Sequence, residues 1–170
     1  QAGTKAMARL ASREAVGCYE QALAALEHLP EQRVSHKQAI DLRCDLYSAR
    51  LVLGQYERIL HDLRAAETLA EALDDPRRLG RVSVHMAQYF RSAGQYDRAM
   101  ASSQRALALA AASGDYYTPI EAHFQLGLVY FIQGDYRQAM EANRRALALL
   151  EGEQRYERFG QPVLPAVRRR

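Results

Sequence analysis

Apolar side chains recur every three or four residues along most of the chain, the spacing that places them on one face of an α-helix. Three such stretches are each followed by a glycine and then by a second helical stretch. The pattern predicts an all-α chain of consecutive helices joined by short turns. The three apolar faces are Leu42-Leu46-Ala49-Leu53, Val82-Met86-Tyr89-Phe90 and Phe124-Leu128-Phe131.

The glycines mark an internal repeat. The string Gly54-Gln55-Tyr56-Glu57 recurs as Gly94-Gln95-Tyr96-Asp97 and as Gly134-Asp135-Tyr136-Arg137, each 40 residues after the last. Three further sets of similar residues recur at the same 40-residue spacing, an agreement that chance would hardly produce. They are Ala66, Ala106 and Ala146 after each glycine, Ile59, Ala99 and Ala139 closer to it, and Leu46, Met86 and Leu126 before it.

Each recurring position has a mechanical role in a pair of antiparallel helices, an A-helix followed by a B-helix. Glycine accepts the left-handed conformation that ends a helix, and the tyrosine after it can pack back across the turn. The alanines share one face of the B-helix, so two helices can approach closely there. Between pairs, Leu73-Asp74-Asp75-Pro76 and Ser113-Gly114-Asp115 stop one helix and cap the next, and Pro119 lies near the start of the third A-helix.

These signals predict one domain over residues 1–170, made of three full repeats and one partial repeat. The partial repeat has an A-helix cut short to about residues 1–10 and a B-helix that starts near Ser12 and is closed by Pro30. Residues 156–170 are a truncated tail or the start of a further helix. The predicted boundaries are 1–35 for the partial repeat, then 36–75, 76–115 and 116–155.

The segment Gly127–Ala139, followed by Arg145-Ala146-Leu147-Ala148-Leu149, closely resembles a tetratricopeptide repeat, and the resemblance covers residues 12–151. It implies a right-handed solenoid of antiparallel helix pairs. Two departures suggest longer helices and a looser superhelix. The unit is 40 residues where the family's usual unit is about 34, and the terminal proline of each repeat is replaced by Glu71, Ala111 or Glu151.

The long unit is similar to repeats in bacterial signalling ATPases, class III adenylate cyclases and LuxR-type regulators, which implies that the chain belongs to a larger bacterial protein. The start at Gln1 also suggests a piece of something longer. We see no secretory signal and no apolar run of the roughly 20 residues that a membrane helix needs. The two cysteines, Cys18 and Cys44, form neither a disulfide framework nor a zinc motif. A cytoplasmic location is the simplest interpretation.

Motifs for catalysis are missing from the sequence. There is no phosphate-binding loop, and the five histidines show no spacing suited to a metal. We therefore predict no catalytic residue, no cofactor, no metal site and no enzymatic activity. The net charge of +3 is small and dispersed, and the basic run Arg168-Arg169-Arg170 is best explained as a solvated tail, which makes nucleic acid an unlikely partner.

The family resemblance implies that the A-helices line a concave groove that binds a protein segment. Repeats that clamp a chaperone's terminal carboxylate carry lysine and asparagine where this chain has Cys44/Ser48, Val84/Gln88 and Phe124/Leu128, so that ligand is not expected. We expect Arg81 and Arg91 to be polar anchors and the phenylalanines and leucine of the third repeat to be apolar ones. The candidate protein-binding residues are Asp41, Ser48, Arg81, Val84, Gln88, Arg91, Glu121, Phe124, Leu128, Phe131 and Ile132.

Three explanations remain open for the apolar A-helix face of the third repeat. A following A-helix covers it, or the tail Tyr156–Val167 folds over it, or a partner segment or second copy of the chain docks there. The predicted function is a scaffold for protein–protein interaction. The alternative is a structural or regulatory spacer that couples to an upstream ATPase or cyclase, or that mediates self-association, with no free ligand.

Overall fold

A computed structural model describes residues 2–28 and 32–150, with side chains from residue 11 onward. Within these residues the chain forms seven α-helices and no strand, which confirms the predicted all-α class. Pro30 and the tail 156–170 lie outside the described residues. The helices are α1 (Ala2–Glu27), α2 (Arg33–Leu53), α3 (Tyr56–Ala72), α4 (Pro76–Ser92), α5 (Tyr96–Ser113), α6 (Tyr117–Ile132) and α7 (Tyr136–Ala148).

The turn inside each predicted repeat has the structure that its glycine predicts. Gly54, Gly94 and Gly134 have φ angles of 71°, 73° and 82°, in the left-handed region. At the first turn, the N–H of Gln55 donates to the carbonyl of Arg50 at 3.0 Å and the N–H of Gly54 to that of Leu51 at 3.2 Å. These bonds satisfy carbonyls that the end of α2 would otherwise leave unpaired.

The connectors between helix pairs are also as predicted. Pro76 is the first residue of α4, and Asp75 Oδ1 accepts a hydrogen bond from the N–H of Arg78 at 3.0 Å. Asp115 accepts at 3.1 Å from the N–H of Tyr117 at the start of α6. In both places a carboxylate caps the positive end of a helix.

The start of the chain differs from the prediction. One helix runs without a break from Ala2 to Glu27, so no B-helix begins near Ser12. The serine offers a cap only where the preceding residues leave the helical conformation, and the alanine-rich stretch before it favours helix. The other six helices lie in pairs within the ranges 36–75, 76–115 and 116–155, apart from the first three residues of α2. The repeat boundaries themselves stay a prediction.

The described helices belong to two compact units, Gln1–His85 and Met86–Arg170. In the first unit, α2 packs against both α1 and α3. Its core contains large aliphatic side chains with less than 2% of their surface exposed: Ile40, Leu46, Ile59 and Leu63. A buried arginine, Arg50 of α2, lies beside this core and forms an ion pair with Asp62 of α3 at 2.9 Å.

In the second unit, α6 packs against α5 and α7. Small residues let these helices approach, because the four alanines predicted to do so, Ala99, Ala106, Ala139 and Ala146, are all at most 4% exposed. A Cβ added to Gly127 of α6 would lie only 2.9 Å from Asn143 Oδ1 of α7. The close crossing therefore depends on a residue without a side chain at that position.

Candidate protein-binding surface

The eleven predicted binding residues are divided between the two units. Asp41, Ser48, Arg81 and Val84 lie in the first, and the other seven lie in the second. Ser48 is exposed on α2. Val84 is only 5% exposed and belongs to the core, as does Cys44 at 1%. Burial raises the pKa of the Cys44 thiol to about 12, which suits a small packing residue.

The arginine predicted as the polar anchor of the first unit is engaged within the chain. Arg81 Nη2 lies 2.6 Å from Asp45 Oδ1, and its Nη1 lies 3.3 Å from Asp41 Oδ1. Asp41 also accepts from Arg78 Nη2 at 2.8 Å, and this hydrogen bond raises the pKa of Arg78 above its ordinary value. Two carboxylates of α2 thus face two arginines of α4, and the charge of Arg81 is balanced.

The corresponding anchor in the second unit has a neutral partner. Arg91 lies in the last turn of α4, and its Nε donates to Gln125 Oε1 of α6 at 3.1 Å. Gln125 is fully buried, at 0% exposure, whereas Arg91 and its neighbour Gln88 are half-buried. The guanidinium of Arg91 is held in place by a neutral amide and has no counter-ion among the described residues.

Glu121 belongs to the interior of the second unit. It is 5% exposed, and its Oε1 accepts a hydrogen bond from the Tyr117 hydroxyl at 2.9 Å, one turn earlier on α6. A partner protein has almost no access to this carboxylate. For the same reason Val84 has no place on an open surface, so both residues are removed from the proposed site.

The apolar residues of the third repeat divide into inner and outer members. Phe124 and Leu128 are half-buried, while Phe131 is 60% and Ile132 is 47% exposed at the end of α6. Across the turn, Tyr136 and Met140 of α7 are 62% and 56% exposed. The rings of Phe131 and Tyr136 meet edge to face, with their centres 5.6 Å apart. We refer to Phe131, Ile132, Tyr136 and Met140 as the apolar patch.

Three residues of this region, Tyr136, Met140 and Gln125, are not among the binding residues predicted from the sequence. Tyr136 was expected to pack across the turn, and it does contact Phe131, but most of its surface stays open. Met140 belongs to the helix that was not expected to line the groove. Gln125 was overlooked, although an amide between Phe124 and Leu126 in an apolar stretch is a signal of a buried polar contact.

Comparison with known proteins finds one similar family and a similar solved structure. Residues 78–152 match the tetratricopeptide repeat family. No curated protein sequence matches the chain. Among solved structures, the crystal structure of the tetratricopeptide-repeat domain of Arabidopsis FLU is similar, with a TM-score of 0.62 and 21% identity over 68% of this chain and 98% of that one. At this identity the likeness shows the fold alone.

Tetratricopeptide-repeat domains generally mediate protein–protein interaction. In the part of the chain that the structure describes, no group of three or more histidine, cysteine, aspartate or glutamate side chains is placed to hold a metal ion. The described helices also include none whose length and apolar character would let it cross a membrane.

Proposed function

We propose that this chain binds an apolar segment of another protein on the A-helix face of the second unit. The surface consists of Leu128, Phe131 and Ile132 of α6, with the half-buried Phe124 one turn before Leu128 and with Arg91 of α4, which bonds Gln125 of α6. The observation that carries the proposal is the exposure of Phe131 and Ile132, two large apolar side chains next to each other at the end of α6.

The exposed apolar area of these side chains can favour association, because binding removes it from water. Complete burial of one side chain of this size favours association by about 1.5–3 kcal/mol, and part of that is offset by the ordering of the partner. Phe131 occupies the repeat position held by Leu51 in the first repeat and by Arg91 in the second. Ile132 occupies the position held by Val52 and Ser92. Only the third repeat places two large apolar side chains there with both of them exposed.

A random library of 12-residue peptides displayed on phage supplies a probe whose identity need not be known beforehand. We expect selection on the whole chain to yield peptides rich in apolar residues. The affinity of a selected peptide, measured by isothermal titration, should fall about tenfold or more in Phe131→Ala/Ile132→Ala, because most of the proposed contact area is then lost. The fold should persist, since both side chains are exposed.

Val52→Ala is the matched control. Val52 is 47% exposed, equal to Ile132, and occupies the same repeat position in the first unit. Its replacement should leave peptide affinity unchanged. If the Phe131→Ala/Ile132→Ala variant binds a selected peptide as tightly as the unmodified chain does, the assignment of the surface is wrong.

Self-association is a second candidate, favoured by the apolar patch as a whole. Tyr136 and Met140 extend the exposed area from α6 onto α7, and such a surface suits a second copy of the chain. Light scattering on a sizing column at several concentrations tests this proposal. A dimer that forms with rising concentration and disappears in Phe131→Ala/Met140→Ala supports it, and a monomer throughout contradicts it.

The wider setting that we propose is a large bacterial signalling protein of the cytoplasm, supported by the 40-residue unit, which exceeds the usual length. In such a protein the chain would bind a partner or act as a spacer beside an ATPase or cyclase. Joining the chain to that enzyme discriminates the two roles. A spacer changes the activity of the enzyme without capturing a separate protein.

A further inference from the structure

We infer that Arg91 recognises a carboxylate, so that the segment bound by this chain carries an acidic side chain close to its apolar ones. The inference rests on the proposed function and specifies the chemistry of the partner. It concerns a position outside those where other tetratricopeptide repeats clamp a chaperone's terminus, which are occupied here by Cys44/Ser48, Val84/Gln88 and Phe124/Leu128.

A hydrogen bond fixes the position of the Arg91 guanidinium. Arg91 Nε donates to Gln125 Oε1 at 3.1 Å. Within the described residues this is the only hydrogen bond of the Gln125 side chain, whose Nε2 is buried without a partner. A fully buried amide with half of its capacity unused is costly. The contact that it does make orients Arg91, and with Nε engaged the two Nη groups remain for a ligand.

The charge of Arg91 has no counter-ion among the described residues. Arg81, the other predicted anchor, lies within 3.3 Å of two carboxylates. Among the residues that the structure describes, Arg91 forms no ion pair, and its contact with Gln125 carries no charge. A half-buried cation without a counter-ion attracts an anion more strongly than a fully solvated one, because less water screens it.

A guanidinium and a carboxylate match each other in hydrogen-bonding geometry. The planar fork of arginine donates two parallel hydrogen bonds to the two oxygens of a carboxylate, and such charge-assisted pairs are among the strongest in proteins. Leu128 and Ile132 follow Gln125 by three and seven residues, so they lie on the same side of α6. An acidic residue bound to Arg91 would therefore have apolar neighbours in contact with Leu128 and Ile132.

The test uses the same phage-displayed library on the whole chain. We expect selected peptides to be enriched in aspartate or glutamate next to apolar residues. In titrations with a synthetic selected peptide, Arg91→Gln should weaken binding about tenfold or more and Arg91→Lys by less, because lysine keeps the charge but loses the fork. Binding to the unmodified chain should weaken with added salt, and this salt dependence should diminish in Arg91→Gln.

Controls separate recognition from folding and side-chain carboxylates from terminal ones. Arg137→Gln removes a positive charge from an exposed site on α7 and should leave affinity unchanged. Circular dichroism and thermal melting verify that Arg91→Gln is folded. Each peptide is made with a free and with an amidated C-terminus. Equal affinity of the two forms shows that the recognised carboxylate is a side chain, and loss on amidation shows that it is the terminus.

The outcomes distinguish this inference from the proposed function. If peptides are selected and bind through Phe131 and Ile132 but lack acidic enrichment, and Arg91→Gln binds them unchanged, the inference is wrong and the proposed function stands. If no peptide is selected, or if Phe131→Ala/Ile132→Ala has no effect, the proposed function fails and the inference falls with it. Enrichment in lysine or arginine would also overturn the inference.

Discussion

Arg50 and Phe90 occupy the same repeat position in the two units and are equally buried, at 4% and 5% exposure. Arg50 forms ion pairs with Asp62 at 2.9 Å and with Glu20 of α1 at 3.1 Å. Phe90 instead carries Arg98 over its ring face, with the guanidinium carbon 3.9 Å from the ring centre. The repeat thus determines where a side chain lies and how much of it is buried, while charge or an aromatic ring can fill the place.

The comparison extends to the surface. In the first unit, charged side chains pair with one another, and Arg78 and Arg81 face Asp41 and Asp45. In the second unit, small residues bring the helices together, while a cation and large apolar side chains remain available. The ion pairs of the first unit suit structural support. The proposed binding surface lies in the second unit, where Arg91 has no charged partner among the described residues.

The largest expected effect comes from breaking the buried ion pair. Arg50→Phe leaves the mostly buried carboxylate of Asp62 without its partner, and the free energy of unfolding should fall by about 3 kcal/mol. Burial already raises the pKa of Asp62 despite Arg50. The double variant Arg50→Phe/Asp62→Ser gives the first unit the residues that the second unit has at the same repeat positions, Phe90 and Ser102. It should recover about half of the lost free energy of unfolding. Urea unfolding measures both.

A matched control for this experiment is Arg58→Met. Arg58 also bonds Glu20, at 3.2 Å, but its side chain is 64% exposed. An exposed ion pair contributes about 1 kcal/mol or less. A loss for Arg58→Met as large as that for Arg50→Phe would show that burial is not the source of the difference between the two ion pairs.

Overpacking the second unit should have the next largest effect. Ala99 of α5 has no exposed surface, so Ala99→Leu forces neighbouring helices apart and should cost roughly 1–3 kcal/mol of stability. Ala101→Leu adds the same atoms at an exposed position of the same helix and should cost almost nothing. Equal melting temperatures for the two variants would mean that the packing around Ala99 has room for a larger side chain, which contradicts the prediction.

A smaller effect is expected where the two connectors differ. Asp74 and Gly114 lie 40 residues apart, and both have positive φ, at 50° and 65°. Glycine adopts this conformation without the steric cost that a side chain brings. Asp74→Gly should therefore stabilise the chain by roughly 0.5–1 kcal/mol, and Gly114→Ala should destabilise it by about 1 kcal/mol. Changes of the same sign in thermal unfolding would contradict this account.

The smallest predicted effect is a pH dependence specific to the second unit. Burial, and then the nearby charge of Arg145, lowers the pKa of His123 below its ordinary value of 6.5. The folded state therefore takes up a proton less readily than the unfolded chain, and stability falls as pH drops through 6.5 towards the lower pKa. His123→Gln should flatten the stability profile between about pH 7.5 and pH 5. The exposed His28→Gln is the control.

The helix pairs could be predicted because their signals are local. A left-handed glycine, a capping aspartate and a helical apolar period act within a few residues, and the structure has them at Gly94, at Asp75 and along α4, where Val82, Met86 and Phe90 are buried. The break predicted near Ser12 was wrong for the same reason. A possible cap at Ser12 has no effect when the helix continues through it.

The binding surface was less predictable because exposure depends on neighbouring helices. Periodicity places Val84 and Glu121 on the side of the helix predicted to face the groove, but it does not reveal that adjacent elements cover them. The partners of Arg81 and Arg91 come from another helix, 34 to 40 residues away in the sequence. Both partners of Arg81 are charged and the partner of Arg91 is neutral, a difference that arises only when the helices are packed together.

An NMR titration of the whole, isotope-labelled chain with a selected peptide locates the bound segment residue by residue. If the segment binds at the end of α6, the largest shift changes occur at Arg91, Leu128, Phe131 and Ile132, with little change along α2 and α3 of the first unit. Shift changes centred on the paired residues Asp41, Arg78 and Arg81, with none at the end of α6, would contradict it.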